Sequence, residues 1–428
     1  MEMKVQKSKG LRGTVTVPGD KSISHRAVML GALAEGETRI SGFLQGEDCL
    51  STISCFRKLG VEIEQNGSLV KIQGVGLQGL REAEDFLDVG NSGTTLRLIS
   101  GILAGQSFTT FLTGDASIRR RPMRRIIEPL EKMGAVFMSR NNLLAPLAVR
   151  GGKLKSIHYA LPVASAQVKS ALLLAGLYAG DGVVVEEKEA TRNHSELMLS
   201  AFGAKITSDA KKIKLEGHPT LRGQQVEVPG DISSAAFLVA AGAIIPDSEL
   251  KIENIGLNPT RTGMIDVLDE MGADYRIANM RTVAGEIIGD IGIKSSELRS
   301  FSIGGKIIPR LIDEIPILAV MAAFAQGTSE IRDAAELKVK ESNRLLTITR
   351  ELSKMGVQIE ELSDGLRIKG GKPLQGAHCL SYNDHRIAMS LAIAGLQAEG
   401  ETIIEEAGSV AISFPGFSDL LKKLEENN

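Results

Sequence analysis

The sequence predicts an α/β protein of two domains, each built from three copies of one structural unit. Three observations lead there. An apolar segment, a turn and a β-like run recur six times, a glycine-terminated helical phrase recurs between them, and the tetrapeptide VPGD occurs at 17–20 and again at 228–231. A chain of 428 residues is also too long for one ordinary core and suggests two domains of roughly 200 residues.

The first recurrence reads ALAEGETRISGF, ILAGQSFTTFL, GLYAGDGVVVEE, GAIIPDSELKIEN, AFAQGTSEIRDA and LQAEGETIIEEA. Its turns fall at Gly36, Gly105, Gly180, Asp247, Gly327 and Gly400, at spacings that run from 67 (Gly180 to Asp247) to 80 (Asp247 to Gly327). Self-similarity at a fixed period marks a repeat architecture. The second recurrence reads KLGVEIE, KMGAVFM, AFGAKIT, EMGADYR and KMGVQIE. Each follows an amphipathic pattern, as Met264, Val267, Leu268 and Met271 show at i, i+3, i+4, i+7. The glycine should close that helix in a left-handed C-cap, with a strand after it. NG in VEIEQNGSLVKI and DG in ELSDGLRI then signal hairpins. Each copy reads as helix, strand, helix, strand, hairpin strand, and the last is cut short at FSDLLKKLEENN.

Six copies divide into two domains of three. Both VPGD phrases sit where a strand ends in a Pro-Gly turn and a helix begins at an Asp N-cap, so they are read as the two chain crossings. The N-terminal strand then belongs with the C-terminal half. One domain spans 20–229; the other spans 1–19 plus 230–428.

Composition excludes several classes. Lys plus Arg (50) nearly cancels Asp plus Glu (52), so no global field suits nucleic acid or a membrane surface. With no Trp and 4% aromatic residues, a base-stacking platform is not expected. Cys49, Cys55 and Cys379 form no CxxC pair, which reads as reduced core thiols without a zinc site. MEMKVQKSKGLRG lacks an apolar signal region, and the uncharged run 232–246, like the longer one at 98–114, falls short of the roughly 20 residues of a membrane span. A cytoplasmic chain is expected.

The first helix of each copy opens on a polar phrase: GDKSISHR, GNSGTTLR, ASAQVKSA, GDISSAAF, LIDEIPIL and NDHRIAMS. Behind the phrase each helix is almost wholly apolar and must be buried, so only its N-terminus can face a site. Unsatisfied N–H groups and the macrodipole make such an end attractive to anions. The second helices open on cations in SIRRRPMRR, ATRNHSE, NPTRTG and KVKESNR, and the planar guanidinium fork suits carboxylate and phosphate. Asp313 and Glu341 lie in cation-dense phrases where a carboxylate can act as acid or base. There is no P-loop, no GxSxG elbow and no GxGxxG that leads from a strand into a helix. His25, His194 and His385 stand singly with no HExxH, so no metal is expected.

Taken together, GDKS with Arg26, GNSGT, IRRRP, SAQVK, KVKESNR and NDHR resemble the 5-enolpyruvylshikimate-3-phosphate synthase family over essentially the whole chain. RNHSE, NPTR, GDKS and SAQVK look like signatures of its second class, found in Gram-positive and related bacteria. The resemblance implies the enolpyruvyl transferase fold, two inside-out α/β domains of three βαβαββ repeats each, with the site in the cleft between them. It implies transfer of the enolpyruvyl group of phosphoenolpyruvate to shikimate 3-phosphate, with phosphate released and no cofactor. It also implies a monomer inhibited by glyphosate.

Carried over to this chain, Lys21, Ser22, Arg26, Ser165, Ala166, Gln167, Arg192, Asp313 and Lys340 would hold shikimate 3-phosphate. Lys21, Gly93, Arg121, Gln167, Arg344 and Arg386 would hold phosphoenolpyruvate. Asp313 would accept the hydroxyl proton, Glu341 would protonate the methylene carbon, and Lys21 would reach both substrates. One departure is Ile412 in VAISFP, where many first-class members carry a lysine that contacts phosphoenolpyruvate. Two rivals remain. The sister enzyme acting on UDP-N-acetylglucosamine commonly has a cysteine in the loop matching IRRRP, where this chain has none. A non-catalytic anion-binding scaffold would not require Asp313 and Glu341 beside Lys21, Arg121, Arg344 and Arg386.

Overall fold

Glycine punctuation sets the helix ends. Gly60, Gly134, Gly203, Gly272 and Gly356, the glycines of the second recurrence, all have positive φ, from 71° at Gly272 to 111° at Gly134. The left-handed residue reverses the chain into the next strand without a Cβ clash. The computed structural model describes residues 1–141, 143–209 and 211–427. Its helices are α1 Lys21–Leu33, α2 Glu47–Lys58, α3 Gly93–Ala104, α4 Arg124–Met133, α5 Ala166–Gly176, α6 His194–Ala201 and α7 Ile232–Ile244, then α8 Gly263–Met271, α9 Ile308–Leu311, α10 Ile315–Phe324, α11 Arg344–Lys354, α12 His385–Gly395 and α13 Phe417–Glu426.

The first five repeats fold as βαβαββ. In the second, Leu87–Asp88 runs parallel to Thr109–Thr113 across α3, and after α4 the hairpin Val136–Arg140 and Leu144–Arg150 pairs antiparallel, with Leu144–Arg150 beside Thr109–Thr113. Among the described residues, five four-stranded sheets share this order, and a sixth has three strands. The hairpin at NG forms one residue later than the dipeptide suggests: Asn66 stays paired with Leu69, and Gly67, at φ 59°, with Ser68 makes the turn.

The chain divides into two compact units. The first comprises Gly19–Val228 with Val283–Glu286; the second comprises Met1–Pro18, Pro229–Thr282 and Ile287–Asn428. Segments distant in sequence complete the terminal sheets. Gln225–Glu227 lies parallel to Glu35–Ser41 in the first unit, and Arg12–Thr16 lies parallel to Glu249–Gly256 in the second. Met3–Val5 pairs antiparallel with Thr402–Glu405, filling the place a hairpin strand would take in the shortened sixth copy. Both VPGD phrases therefore follow strands of one unit and lead into helices of the other. At each, the Asp is the N-cap: Asp20 Oδ1 accepts from Ile23 N at 2.8 Å and Asp231 Oδ1 from Ser233 N at 2.9 Å.

Helices lie inside and sheets outside. α7 is buried at every residue, as an all-apolar helix must be. The strands alternate instead: in Leu69–Val75, Val70 and Ile72 are buried while Leu69, Lys71 and Gln73 are exposed. In the second unit α7, α10 and α12 pack on one another, and in the first α3 packs on both α1 and α5. A Cβ built on Gly101 of α3 would lie 2.2 Å from the Ala171 carbonyl oxygen of α5. Only glycine permits that approach, because the obstacle is backbone and cannot rotate away. Gly101→Ala should cost about 1–3 kcal/mol as an overpacking change. Thermal unfolding should show a clear fall in melting temperature, while Gly180→Ala, where the added methyl meets nothing within 4 Å, should leave it in place.

Candidate active site

In the first unit, two polar groups form at the N-termini of the buried helices. At α1, Lys21 Nζ pairs with Asp48 of α2. Arg26, 6% exposed, donates to Ser195 Oγ at 2.7 Å, Ser170 Oγ at 2.8 Å and the Ser22 carbonyl at 2.9 Å. Burial draws its pKa down to about 10, against the pull of Glu196 and Asp20, so the guanidinium stays charged at neutral pH while bonded to neutral oxygens. At α3, Gly93 is the first helical residue after the N-cap Ser92. A Cβ there would lie 3.0 Å from Arg97 Nη1 and 3.1 Å from Arg121 Nη1. Arg97 Nη1 donates to Gln167 Oε1 at 2.6 Å, Gln167 Nε2 donates to Thr94 Oγ1 at 3.2 Å, and Arg121 Nη2 donates to Asn91 Oδ1 at 3.3 Å. Gly93, Arg97, Arg121 and Gln167 thus form one cationic, glycine-floored group.

A chain of hydroxyls braces these two groups. His25 Nδ1 lies 2.7 Å from Thr52 Oγ1, which lies 2.7 Å from Thr95 Oγ1, itself 2.7 Å from Ser92 Oγ. His25 is fully buried, and burial pushes its pKa down to about 3, opposed by Asp48 and reinforced by Lys21 and Arg26. It is neutral at working pH.

In the second unit the centre is Arg344, 1% exposed, at the start of α11. It donates from Nε to Asp384 Oδ2 at 2.8 Å, from Nη2 to Glu341 Oε2 at 2.6 Å, and from Nη1 to Asp313 Oδ1 at 3.3 Å. Burial works against its charge, but Asp384, then Glu341 and Asp313, raise its pKa above the ordinary value. Arg386, in the first turn of α12, donates from Nη1 to the Asp313 carbonyl at 3.1 Å and lies 4.0 Å from the Asp313 and Glu314 carboxylates. Asp384 caps α12 through Arg386 N at 3.0 Å. Beside this group, Arg261 of NPTR donates to Asp231 Oδ1 at 3.0 Å and Ser233 Oγ at 2.7 Å, and Ser233 Oγ donates to Glu314.

Of the residues singled out from sequence, Gly93, Arg121 and Gln167 come together, as do Lys21, Ser22 and Arg26 at α1, and Asp313, Glu341, Arg344 and Arg386 in the second unit. Ser165 is buried at the N-cap of α5 without bonding its own helix, and Ala166 opens that helix. Arg192 is half-buried in the segment before α6. Lys340 pairs with Glu336 at 3.5 Å. Ile412 ends a short 3₁₀ segment, 407–412. Sequence reasoning passed over Asp48, Arg97 and Asp384, and reached Arg261 only as the cation of the NPTRTG phrase. A signal existed for Arg97, a cation inside an otherwise apolar helix, and for Asp384, an N-cap type before NDHR; Asp48 had none beyond its place in a first turn.

Among the described residues no three His, Cys, Asp or Glu side chains are arranged to hold a metal ion, and no helix is long and apolar enough to cross a membrane. A sequence profile for EPSP synthase (3-phosphoshikimate 1-carboxyvinyltransferase) matches residues 5–421. The chain belongs to the EPSP synthase family. It is 58% identical over 427 residues to 3-phosphoshikimate 1-carboxyvinyltransferase of Desulforamulus reducens, covering 99% of each chain, and 57% identical over 417 residues to that of a Thermoanaerobacter species, covering 97% of this chain and 98% of the relative. Among solved structures, EPSP synthase from Acinetobacter baumannii superposes with TM-score 0.90 at 44% identity, covering 99% of this chain and 98% of that one. The enolpyruvyl transferase NikO from Streptomyces tendae superposes with TM-score 0.80 at 18% identity, covering 98% and 96%, which shows the shared fold.

The buried imidazole makes this EPSP synthase family member sensitive to acid. Unfolded, His25 takes up a proton below about pH 6.5; folded, it resists until about 3. The unfolded state therefore binds more protons across that window, and stability falls as pH drops through it. His25→Asn should shrink the difference in melting temperature between pH 7 and pH 5 relative to the native protein.

Proposed function

We propose that the chain transfers the enolpyruvyl group of phosphoenolpyruvate to the 5-hydroxyl of shikimate 3-phosphate. The observation that carries this reading is Arg344 enclosed by Asp313, Glu341 and Asp384 beside Arg386. This group offers a fork for a carboxylate or phosphate and two carboxylates for proton transfer. The curated relatives carry the same activity in their names. The rival transfer to UDP-N-acetylglucosamine is not favoured by them.

In the proposed reaction, the 5-oxygen bonds to C2 of phosphoenolpyruvate as its proton passes to Asp313. The C2–C3 π pair takes a proton from Glu341. The tetrahedral intermediate then returns that C3 proton to Glu341, the double bond re-forms, and the C2–O bond breaks with phosphate leaving under the cations. Arg344 bonds Glu341 in the structure; a phosphoenolpyruvate carboxylate taking that fork would free Glu341 to carry the proton. Lys21, Gly93, Arg121, Gln167, Arg344 and Arg386 would grip phosphoenolpyruvate. Lys21, Ser22, Arg26, Ser165, Ala166, Gln167, Arg192, Asp313 and Lys340 would grip shikimate 3-phosphate. Preorganised cations of this kind act where charge develops. A cytoplasmic monomer is the form proposed for the working enzyme.

Phosphate release from phosphoenolpyruvate should require shikimate 3-phosphate and fail with UDP-N-acetylglucosamine; the reverse preference would overturn the reading. Glu341→Gln keeps the shape but removes the acid, so kcat should fall by about 10² to 10⁴ with substrate KM values largely kept. Glyphosate should compete with phosphoenolpyruvate. Gly93→Ala adds a methyl facing the ends of Arg97 and Arg121, and its φ lies outside the left-handed range, so the fold should tolerate it. The substitution should raise the glyphosate inhibition constant by a larger factor than KM for phosphoenolpyruvate, measured by steady-state kinetics on both proteins.

A further inference from the structure

The turn before Asp384 has an unusual backbone. Asp384 N donates to the Ser381 carbonyl at 3.0 Å, and the two residues between, Tyr382 and Asn383, have φ of 56° and 54°. This is the mirror-image turn in which both central positions are left-handed, a conformation normally filled by Gly, Asn or Asp. Asn383 is an accepted occupant, and its side chain donates to Glu406 Oε2 at 3.0 Å. A tyrosine there is strained, and such strain persists only where the surroundings over-determine it.

The restraint is a fully buried carboxylate. Glu351 of α11 is 0% exposed. Its Oε1 accepts from the Tyr382 hydroxyl at 2.9 Å, and its Oε2 accepts from Leu380 N at 2.9 Å and Lys354 Nζ at 2.7 Å. One side chain thus ties the residue before the turn and the strained residue within it. Burial, then the bond to Glu351, raises the Tyr382 hydroxyl above its ordinary pKa, so it remains a donor. Glu351 is seven residues, about two turns, along α11 from Arg344. The loop is therefore attached to α11 twice, at its first residue through Arg344 and Asp384 and again through Glu351 and Tyr382. A single attachment would leave α11 free to roll against the loop; two fix it.

We infer that Glu351 and Tyr382 are a positioning pair that holds the mirror-image turn and so sets Arg344 and Arg386 for the phosphoenolpyruvate anion. The inference rests on the proposed roles of those two arginines. Neither member of the pair is among the residues proposed to hold substrate.

Tyr382→Phe deletes one hydroxyl and keeps the ring, so the protein should fold. Losing a hydrogen bond to a buried carboxylate should raise KM for phosphoenolpyruvate about tenfold, with KM for shikimate 3-phosphate changed less than about twofold. Glu351→Ala, which removes the acceptor itself, should act in the same direction, and the double variant should be no worse than the worse single one, because the Tyr382 bond is already absent in each. Arg386→Lys serves as the control. If it raises KM for phosphoenolpyruvate while Tyr382→Phe lowers only the melting temperature, the bond is merely structural and the inference is overturned. Should Tyr382→Phe raise that KM while Arg386→Lys does not, the pair acts through Arg344, and the role of Arg386 falls instead. Multiplying effects in the double variant would also overturn it, since the two residues would then act apart.

Discussion

A helix buried on every side can carry chemistry only at its ends. That constraint organises both units. The helices α7, α10 and α12, and α1, α3 and α5, are buried along most of their length, and their charged side chains are confined to the N-terminal half, where neighbours can bond them. At those N-termini the backbone N–H groups lack helical partners and favour negative charge. Caps at Asp20, Ser92, Asp231 and Asp384 satisfy some of them. Lys21, Gly93, Gln167 and Arg386 are placed by the same geometry. Their proximity to a helix start is a consequence of the core being dry.

Burying cations near such ends raises the question of their compensation, and Arg26 and Arg344 answer it differently. Arg26 is held by two serine hydroxyls and a carbonyl, neutral groups that orient the guanidinium without cancelling its charge. Arg344 is held by three carboxylates, more negative charge than one guanidinium neutralises, with Arg386 close by. Removing one partner from such a group would leave buried charge without compensation, which costs far more than the pair itself contributes. The first arrangement is suited to waiting for an anion. The second sets three carboxylates on the guanidinium that an incoming anion would have to displace.

Closure of each unit depends on strands from far along the chain. Gln225–Glu227 and Arg12–Thr16 supply the parallel strands that their own sheets would otherwise lack, and Met3–Val5 completes the shortened sixth copy. Each pairing joins segments far apart in the chain, and its loop-closure entropy favours late assembly. The VPGD turns stand next to these strands, so the phrase recurs because the same junction, parallel strand to capped helix, recurs.

The sequence by itself determined the repeat, its count, the helix and strand order within it apart from the short opening strand, the two VPGD capping aspartates and the glycine helix ends. These are local patterns with periods near 3.6 and 2, punctuated by residues whose backbone preferences act within a few positions. Even there the hairpin at Asn66 and Gly67 settled one residue along, because strand pairing extended through Asn66. Motif resemblance reached Asp313, Glu341, Arg344 and Arg386 as separate points. Only the tertiary structure decided that Arg344 bonds Asp384, 40 residues on, and that Arg26 bonds Ser195, 169 residues on. It alone made Asp48 the partner of Lys21, Arg97 the partner of Gln167, and Glu351 the anchor of a strained tyrosine. A buried charge takes whichever partner packing brings within reach, and packing is a property of the whole core that no local window of sequence contains.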